Sequence, residues 1–356
     1  MDNFSKGNRM NSILKNCFRV LISLGILALL LEAIVAFSGV SATAYRTQPV
    51  DATSPYMHAK PNHEYVYAKG PFGEILQHHK TNNYGFNTDV QFSKYSDNDK
   101  VLYIGGSFIN ADQIARKDSS GSILHHQTGY DVYPISAPRP TLSQHLAFAQ
   151  FAVKEFNPKK IIFLIFTTSY KKSLLSNGKL DGMHRFDDKN GYILRVTDYT
   201  PSLLKTILRK SHLVNYLYKN IGVRNIDVRS IFKFSGNKRK KVVSDLKIST
   251  QQDERAKEAF LTGVGKLNLE AENIMFVFVE DRSMAYLNQP RSQKHPAIKF
   301  SQQLQEKGYQ VLDLHPYFRK HFEANKQRFE FEIDLHWNEI ANQIAAEAIM
   351  QSGFLD

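Results

Sequence analysis

Three residues in this chain have the types to form a nucleophile and its base: a serine, a histidine and an aspartate. Ser107 closes the run Lys100 to Ser107, KVLYIGGS, in which an apolar stretch (Val101, Leu102, Tyr103, Ile104) ends in Gly105 and Gly106. A strand that stops at two glycines lets the backbone turn sharply, and it presents the next side chain at the C-terminal edge of a sheet among backbone N–H groups. Open α/β sheets bind their ligands at that edge. A hydroxyl there becomes a nucleophile only if a base reaches it. The candidate base is at the other end of the chain, in IDLHWN, where Asp334 and His336 stand just before the last predicted helix. The spacing alone is cheap, since Asp313-Leu314-His315 repeats it. Position gives the pair its weight: one motif follows the first predicted strand and the other precedes the last helix.

These motifs need a layered α/β frame. Strands are predicted at Val101–Ile104, Asp131–Ile135, Ile161–Phe166, Asn273–Val279 and Tyr309–Leu314. The runs IIFLIF and IMFVFV have no polar alternation, as central parallel strands buried on both faces require. Between them the spacing predicts helices at Thr141–Phe156, with Thr141 as N-cap, and at Asn338–Met350, while Ser301–Lys307 belongs to a further helix. Alternation of this kind specifies a three-layer α/β/α fold around a mainly parallel, flavodoxin-like sheet. Upstream, TNNYGFNTD (Thr81 to Asp89) reads as a polar turn around Gly85 with Phe86 as its anchor. Residues 173–272 are read as an insertion. It contains a hairpin about Asn190-Gly191, the helical run LLKTILRKSHLVNYLYKNI and the basic stretch NKRKK (237–241). That stretch is read as a solvated loop, with docking to acidic glycan or a membrane surface as the alternative.

The N-terminus sets the compartment. Residues 1–19 form a basic flank with Lys6, Arg9, Lys15 and Arg19 against the single acid Asp2. Residues 20–37 are apolar apart from Ser23, Gly25 and Glu32, long enough for a transmembrane anchor when Arg19 snorkels at one end. The basic flank then stays cytoplasmic, and the stalk at 38–80 and the domain at 81–356 face the periplasm or the exterior. Ala42-Thr43-Ala44 has the form of a cleavage site, but the apolar run is long for a signal peptide and far from it. In either case the bulk of the chain crosses the membrane.

Over 356 residues, 42% are hydrophobic and 12% aromatic, enough for a sizeable core. A net charge of +12 favours contact with anionic surfaces, and no base-reading motif points to nucleic acid. Cys17 is the only cysteine, which excludes an intramolecular disulfide, a cysteine nucleophile and a cysteine-based zinc site. The pairs His78-His79 and His125-His126 are adjacent residues that point apart, so no metal site is expected from them. Trp337 is read as packing that seats the histidine loop.

GGSF after strand one and DLHWN before the last helix resemble the motifs of the SGNH/GDSL hydrolases, and the similarity extends to the NNYGF turn and the anchor with its late Glu32. Envelope-anchored members and polysaccharide O-acetyltransferases or esterases are the similar types. The resemblance implies Ser107 as nucleophile, His336 as general base and Asp334 as the group that orients it, with no cofactor. It implies oxyanion donors at Gly106 and Ser107, at the turn after strand two (Ser136 or Arg139, where the family has glycine) and after strand three (Thr168 or Ser169, where it has asparagine). Gly106 also replaces the aspartate of Gly-Asp-Ser. The implied function is a membrane-anchored serine esterase or O-acyltransferase acting on acyl esters of a cell-surface or exported polysaccharide, with a membrane partner as possible acyl donor. The alternative is a catalytically inactive relative that binds glycan or serves envelope assembly.

Overall fold

The computed structural model describes residues 2–43, 47–51, 54, 56–137, 141–166, 170–178, 182–222, 251–279, 282–287 and 295–356. The chain divides into two compact units. One comprises the described residues of Met1–Ala44, Val66–Leu76 and Ser202–Phe234, and the other those of Tyr45–Tyr65, Gln77–Pro201 and Ser235–Asp356.

The second unit holds a five-stranded, all-parallel sheet. In chain order its strands are β3 (Lys100–Gly105), β4 (Asp131–Ser136), β5 (Lys160–Phe166), β8 (Ile274–Val279) and β9 (Gln310–Asp313), arranged β4-β3-β5-β8-β9. Each predicted strand is present, with ends shifted by a residue or so. Alternate residues feed two separate cores. Leu102, Ile104, Phe163 and Phe276 face α4 (Leu142–Phe156), α7 (Gln251–Val264) and α9 (Pro296–Gln305). Val101, Tyr103, Ile162 and Val277 face α3 (Ser120–Thr128), α10 (His315–Asn325) and α11 (Glu339–Gln351). Burial on both faces is why these strands carry no polar alternation, and the two covering layers complete the expected α/β/α sandwich. The predicted caps form: Thr141 accepts from the Gln144 N–H, and Asn338 from the Ala341 N–H.

The order of the strands fixes where a site can lie. From β3 the chain steps outward to β4, then returns across β3 to β5 and continues the other way. The crevice between the C-terminal ends of β3 and β5 is therefore the switch point of the sheet, and the β3 exit opens on it. Here α2 (Ser107–Asn110) begins.

The glycines at this exit serve packing. Neither Gly105 nor Gly106 takes a left-handed φ; Ala111, the C-cap of α2, does so at φ 46°. A Cβ on Gly105 would sit 2.6 Å from Ile109 Cδ1 and 3.0 Å from Leu164 Cβ. The glycine thus lets α2 fold back onto β5, which corrects the expectation of a turn made by glycine torsion.

Two expectations for the surrounding chain are also corrected. The irregular stalk contains a hairpin of β1 (Glu64–Lys69) and β2 (Ile75–Lys80). The continuous helical run of the insertion is broken into α5 (Leu203–Leu208), α6 (His212–Asn215) and a π turn at Tyr216–Asn220. Ser211 breaks it, because its side chain accepts from the Val214 N–H and so starts a new helix instead of continuing the old one. The hairpin about Asn190-Gly191 is present as β6 (His184–Asp187) and β7 (Ile193–Val196), antiparallel. The NKRKK stretch lies outside the described residues. The remaining helix, α8, is Arg282–Tyr286.

The first unit is built around α1 (Asp2–Ser38), whose segment Leu14–Ser38 is long and apolar enough to cross a membrane and has none of its residues buried.

Candidate active site

The loop before α11 is shaped by one carboxylate. Asp334 Oδ1 accepts the backbone N–H of His336 at 2.9 Å and also pairs with the His336 ring at Nδ1. This Asx turn fixes both the backbone and the imidazole. Asp334 is buried while His336 is partly exposed, and the pair leaves Nε2 without a partner among the described residues. With Nδ1 as the donor to Asp334, Nε2 is the acceptor, the tautomer a general base needs.

The loop is pinned on either side of the pair. Trp337 is 1% exposed, its ring 4.8 Å from Phe108 and 5.7 Å from Phe318, and it bridges to Glu330 in antiparallel fashion. The Asn338 N–H donates to the Phe329 carbonyl at 3.0 Å. Behind it, Asn342 Oδ1 accepts the Ser120 N–H at 3.0 Å and ties α11 to α3.

Ser107 opens α2, and the next residue, Phe108, has its ring centroid 5.6 Å from that of His336 and 4.8 Å from that of Phe166 at the end of β5. Phe108 and His336, more than two hundred residues apart in sequence, are therefore neighbours near the switch point. Ser107 is partly exposed and its hydroxyl makes no hydrogen bond among the described residues, to His336 or to any other group. Hydrogen bonds between nucleophile and base are often long or poorly aligned before substrate binds, so the absence of this bond does not exclude the pairing. Ser136, at the end of β4, is buried and donates to Asn110 Oδ1 at 3.2 Å. Its proton is thus already in use. Arg139, Thr168 and Ser169 lie outside the described residues.

Sequence reasoning missed the network that holds α2 in place. Asp112 accepts from Asn110 Nδ2 at 2.7 Å, from the Tyr65 hydroxyl at 2.7 Å and from Asn87 Nδ2. Arg116 donates to the Tyr65 oxygen and to the Asn110 carbonyl, both at 3.0 Å, and His79 Nε2 donates to the Asp112 carbonyl at 2.8 Å. Asn87 belongs to the polar turn read from the sequence, in which Asn82 Oδ1 accepts the N–H groups of Tyr84 and Phe86, and Phe86 is fully buried. The turn's role is now physical: its asparagine also clamps the Asn110 carbonyl, at 2.8 Å. The polar character of Asp112 and Asn110 just after Ser107 was the available signal. Among the described residues no group of three or more His, Cys, Asp or Glu side chains could hold a metal ion.

Burial lowers the pKa of His79 to about 3, with the positive Arg116 as a smaller cause, and burial alone does the same to His145. Among the described residues both nitrogens of His145 are buried without hydrogen-bond partners, as is Nδ1 of His79. Between the ordinary value of 6.5 and about 3, the unfolded chain takes up protons that these two folded rings refuse. Stability present above pH 6.5 is therefore lost as pH falls through that window, by on the order of 1 kcal/mol per pH unit for each ring. Urea midpoints of the full chain in detergent should fall between pH 7.5 and pH 5, and His145→Leu should flatten that dependence. A His145→Leu variant with the parent's pH slope would contradict this account.

No family model matches the sequence, and no curated protein matches it. Solved structures similar to it include that of TesA, at 9% identity over 71% of this chain and 97% of that one, with a TM-score of 0.36. Another is a two-domain esterase (CEX) active on acetylated mannans and co-crystallized with mannopentaose, at 11% identity over 71% of this chain and 48% of that one, with a TM-score of 0.38. A third is a member of the lipolytic protein G-D-S-L family from Veillonella parvula, at 9% identity over 71% and 96%, with a TM-score of 0.35. At such identities and overlaps, what the site can do rests on its own geometry.

Proposed function

We propose that this chain is a membrane-anchored serine esterase or O-acyltransferase acting on acyl esters of a cell-surface or exported polysaccharide. The observation that carries the reading is the Asp334–His336 pair, with Nε2 left open, packed against the helix that Ser107 begins. Ser107 Oγ attacks the acyl carbonyl carbon as His336 Nε2 takes its proton, and Asp334 holds the ring and offsets its positive charge. The tetrahedral intermediate collapses when His336 returns the proton to the departing alcohol oxygen, leaving an ester on Ser107. Water releases the acyl group in an esterase, and a sugar hydroxyl takes it in a transferase. Backbone N–H groups of Gly106 and Ser107 serve the oxyanion, each donor contributing about 100-fold or more. Arg139 and Ser169 are the proposed side-chain donors, with Ser136 the weaker candidate because its proton is engaged by Asn110.

The apolar helix α1 supports the anchor, and the basic residues before it support a cytoplasmic N-terminus with the sheet domain outside. Net charge +12 suits an acidic glycan, and an acyl donor for the transferase reaction would come from a membrane partner. The Ser107 hydroxyl, which makes no hydrogen bond among the described residues, favours a second reading, a catalytically inactive protein that binds glycan or serves envelope assembly.

Covalent labelling decides between them. The full chain in detergent, treated with a fluorophosphonate, is expected to gain one adduct, located on Ser107 by peptide mass spectrometry and absent from Ser107→Ala. An unlabelled serine in the folded protein would sink the enzyme reading and leave the second.

A further inference from the structure

Glu32 is the one ionisable residue of the apolar run 20–37, and within its own unit it is not alone. Its carboxylate accepts the Ser211 hydroxyl at 2.6 Å, the His212 N–H at 2.7 Å and the Leu213 N–H at 2.9 Å. Three donors from one short segment hold that segment to α1. Within Leu14–Ser38 of α1 the partly covered residues are Glu32, Val35 and Ala36, one face at helical spacing, while Leu29, Ile34 and Phe37 stay 71%, 64% and 90% exposed. Nearby, Asn220 accepts the Ala42 N–H at 3.1 Å and donates to the Val40 carbonyl at 2.7 Å, which ties the end of the π turn to the chain leaving α1.

The helix just before this clamp shows an apolar face that no described residue covers. Leu203, Leu204, Ile207 and Leu208 are 77%, 65%, 56% and 43% exposed and recur at i, i+1, i+4 and i+5, one side of a six-residue helix. Lys205, Arg209 and Lys210 supply cations beside it. So short a helix is marginal in water, and four adjacent exposed aliphatic side chains need an apolar surface.

Depth along α1 names that surface. Taking Arg19 as the cytoplasmic boundary, Glu32 lies 13 residues further, about 20 Å of helix rise, within a hydrocarbon core about 30 Å thick. That leaves about 10 Å of the outer leaflet above it, and segments that lie in the interface bury their apolar faces about 5–10 Å deep. A carboxylate at this depth requires donors, and Ser211–Leu213 provide them. Resting on the membrane-anchor reading, we infer that α5 and the segment Ser211–Leu213 lie in the outer leaflet of the bilayer that α1 crosses. The Leu203, Leu204, Ile207 and Leu208 face inserts among the acyl chains, Lys205, Arg209 and Lys210 meet the headgroups, and Glu32 is the clamp.

The single cysteine makes the test direct. In a Cys17→Ser background, nitroxides are placed singly on the full chain by Gly25→Cys, Leu204→Cys, Ile207→Cys or Lys210→Cys, and each protein is reconstituted in vesicles of zwitterionic and anionic phospholipid. Relaxation by oxygen, which partitions into lipid, is compared with that by a water-soluble nickel chelate. Labels at 204 and 207 are expected to favour oxygen several-fold, at a depth of about 5–10 Å, and a label at 210 to favour nickel. Glu32→Ala is expected to move the 204 label toward water. Labels at 204 and 207 that favour nickel while the label at 25 favours oxygen would overturn the inference and leave the anchor standing. A label at 25 that favours nickel would remove the anchor itself. Labels at 204 and 207 shielded from both relaxants would show a protein covering in place of lipid, which also overturns the inference.

Discussion

Replacing His336 by alanine is expected to lower kcat/KM for acetyl-ester hydrolysis about 10⁴-fold or more, a loss of about 5–6 kcal/mol of transition-state stabilisation. In the proposed mechanism the size follows from the loss of the imidazole, the group that takes the proton from Ser107 as the bond to carbon forms. Asp334→Asn is the sharper probe. An amide in place of the carboxylate would still accept the His336 N–H and Nδ1–H through its oxygen, because both meet the same Oδ1, yet it removes the charge that offsets the imidazolium. The loop and the tautomer should stay in place while the transition state loses its counter-charge, so the expected loss is smaller than for His336→Ala, with the fold intact. Both variants fall in kcat with KM little changed, since neither group is asked to bind the ground state. Hydrolysis of p-nitrophenyl acetate by the two variants at the parent's rate, with parental circular dichroism, would remove His336 from the mechanism.

The sequence was most legible where one physical cause dominates. Buried parallel strands must be apolar on both faces, so IIFLIF and IMFVFV announce their place, and the alternate residues of β5 and β8 divide between the two cores as that rule requires. Caps are equally local: Thr141 and Asn338 act within four residues of themselves. The hairpin of β1 and β2 was hidden because EYVYAK and ILQHHK mix polar and apolar residues without a clean period. In the insertion, helix propensity reads straight through Ser211, whereas the structure ends α5 and restarts at α6. Ser211 gives its proton to Glu32, 179 residues away in sequence, a contact that no window can see. The site shows the same division. Asp334 and His336 could be read as a pair because the carboxylate reaches a backbone N–H two residues on. The support of α2 by Asp112, Asn87, Tyr65 and Arg116 could not, since it joins segments that are neighbours only after folding.

The same division makes Trp337 the most consequential residue outside the chemistry. Its side chain is buried among Phe108 from the β3 exit and Phe318 from α10, so a single ring fills the space between the loop that holds His336 and the helix that Ser107 opens. Trp337→Ala is expected to cost about 3–5 kcal/mol of stability, the range for a buried aromatic cut back to a methyl group. For a domain of this size that lowers the melting temperature by about 6–20 °C. Activity should fall with it, because the cavity lets the Phe108 and His336 rings, now 5.6 Å apart, drift from each other. Trp337→Phe separates packing from polarity. The buried indole Nε1 has no hydrogen-bond partner among the described residues, so phenylalanine gives up volume and no bond, should cost less than half as much as alanine, and should keep the ester hydrolysis proposed for the site. Melting curves and hydrolysis rates of the two variants in the same detergent provide the comparison. If Trp337→Ala melts within a degree or two of the parent, the ring does not seat the loop, and the proximity of His336 to α2 needs another cause.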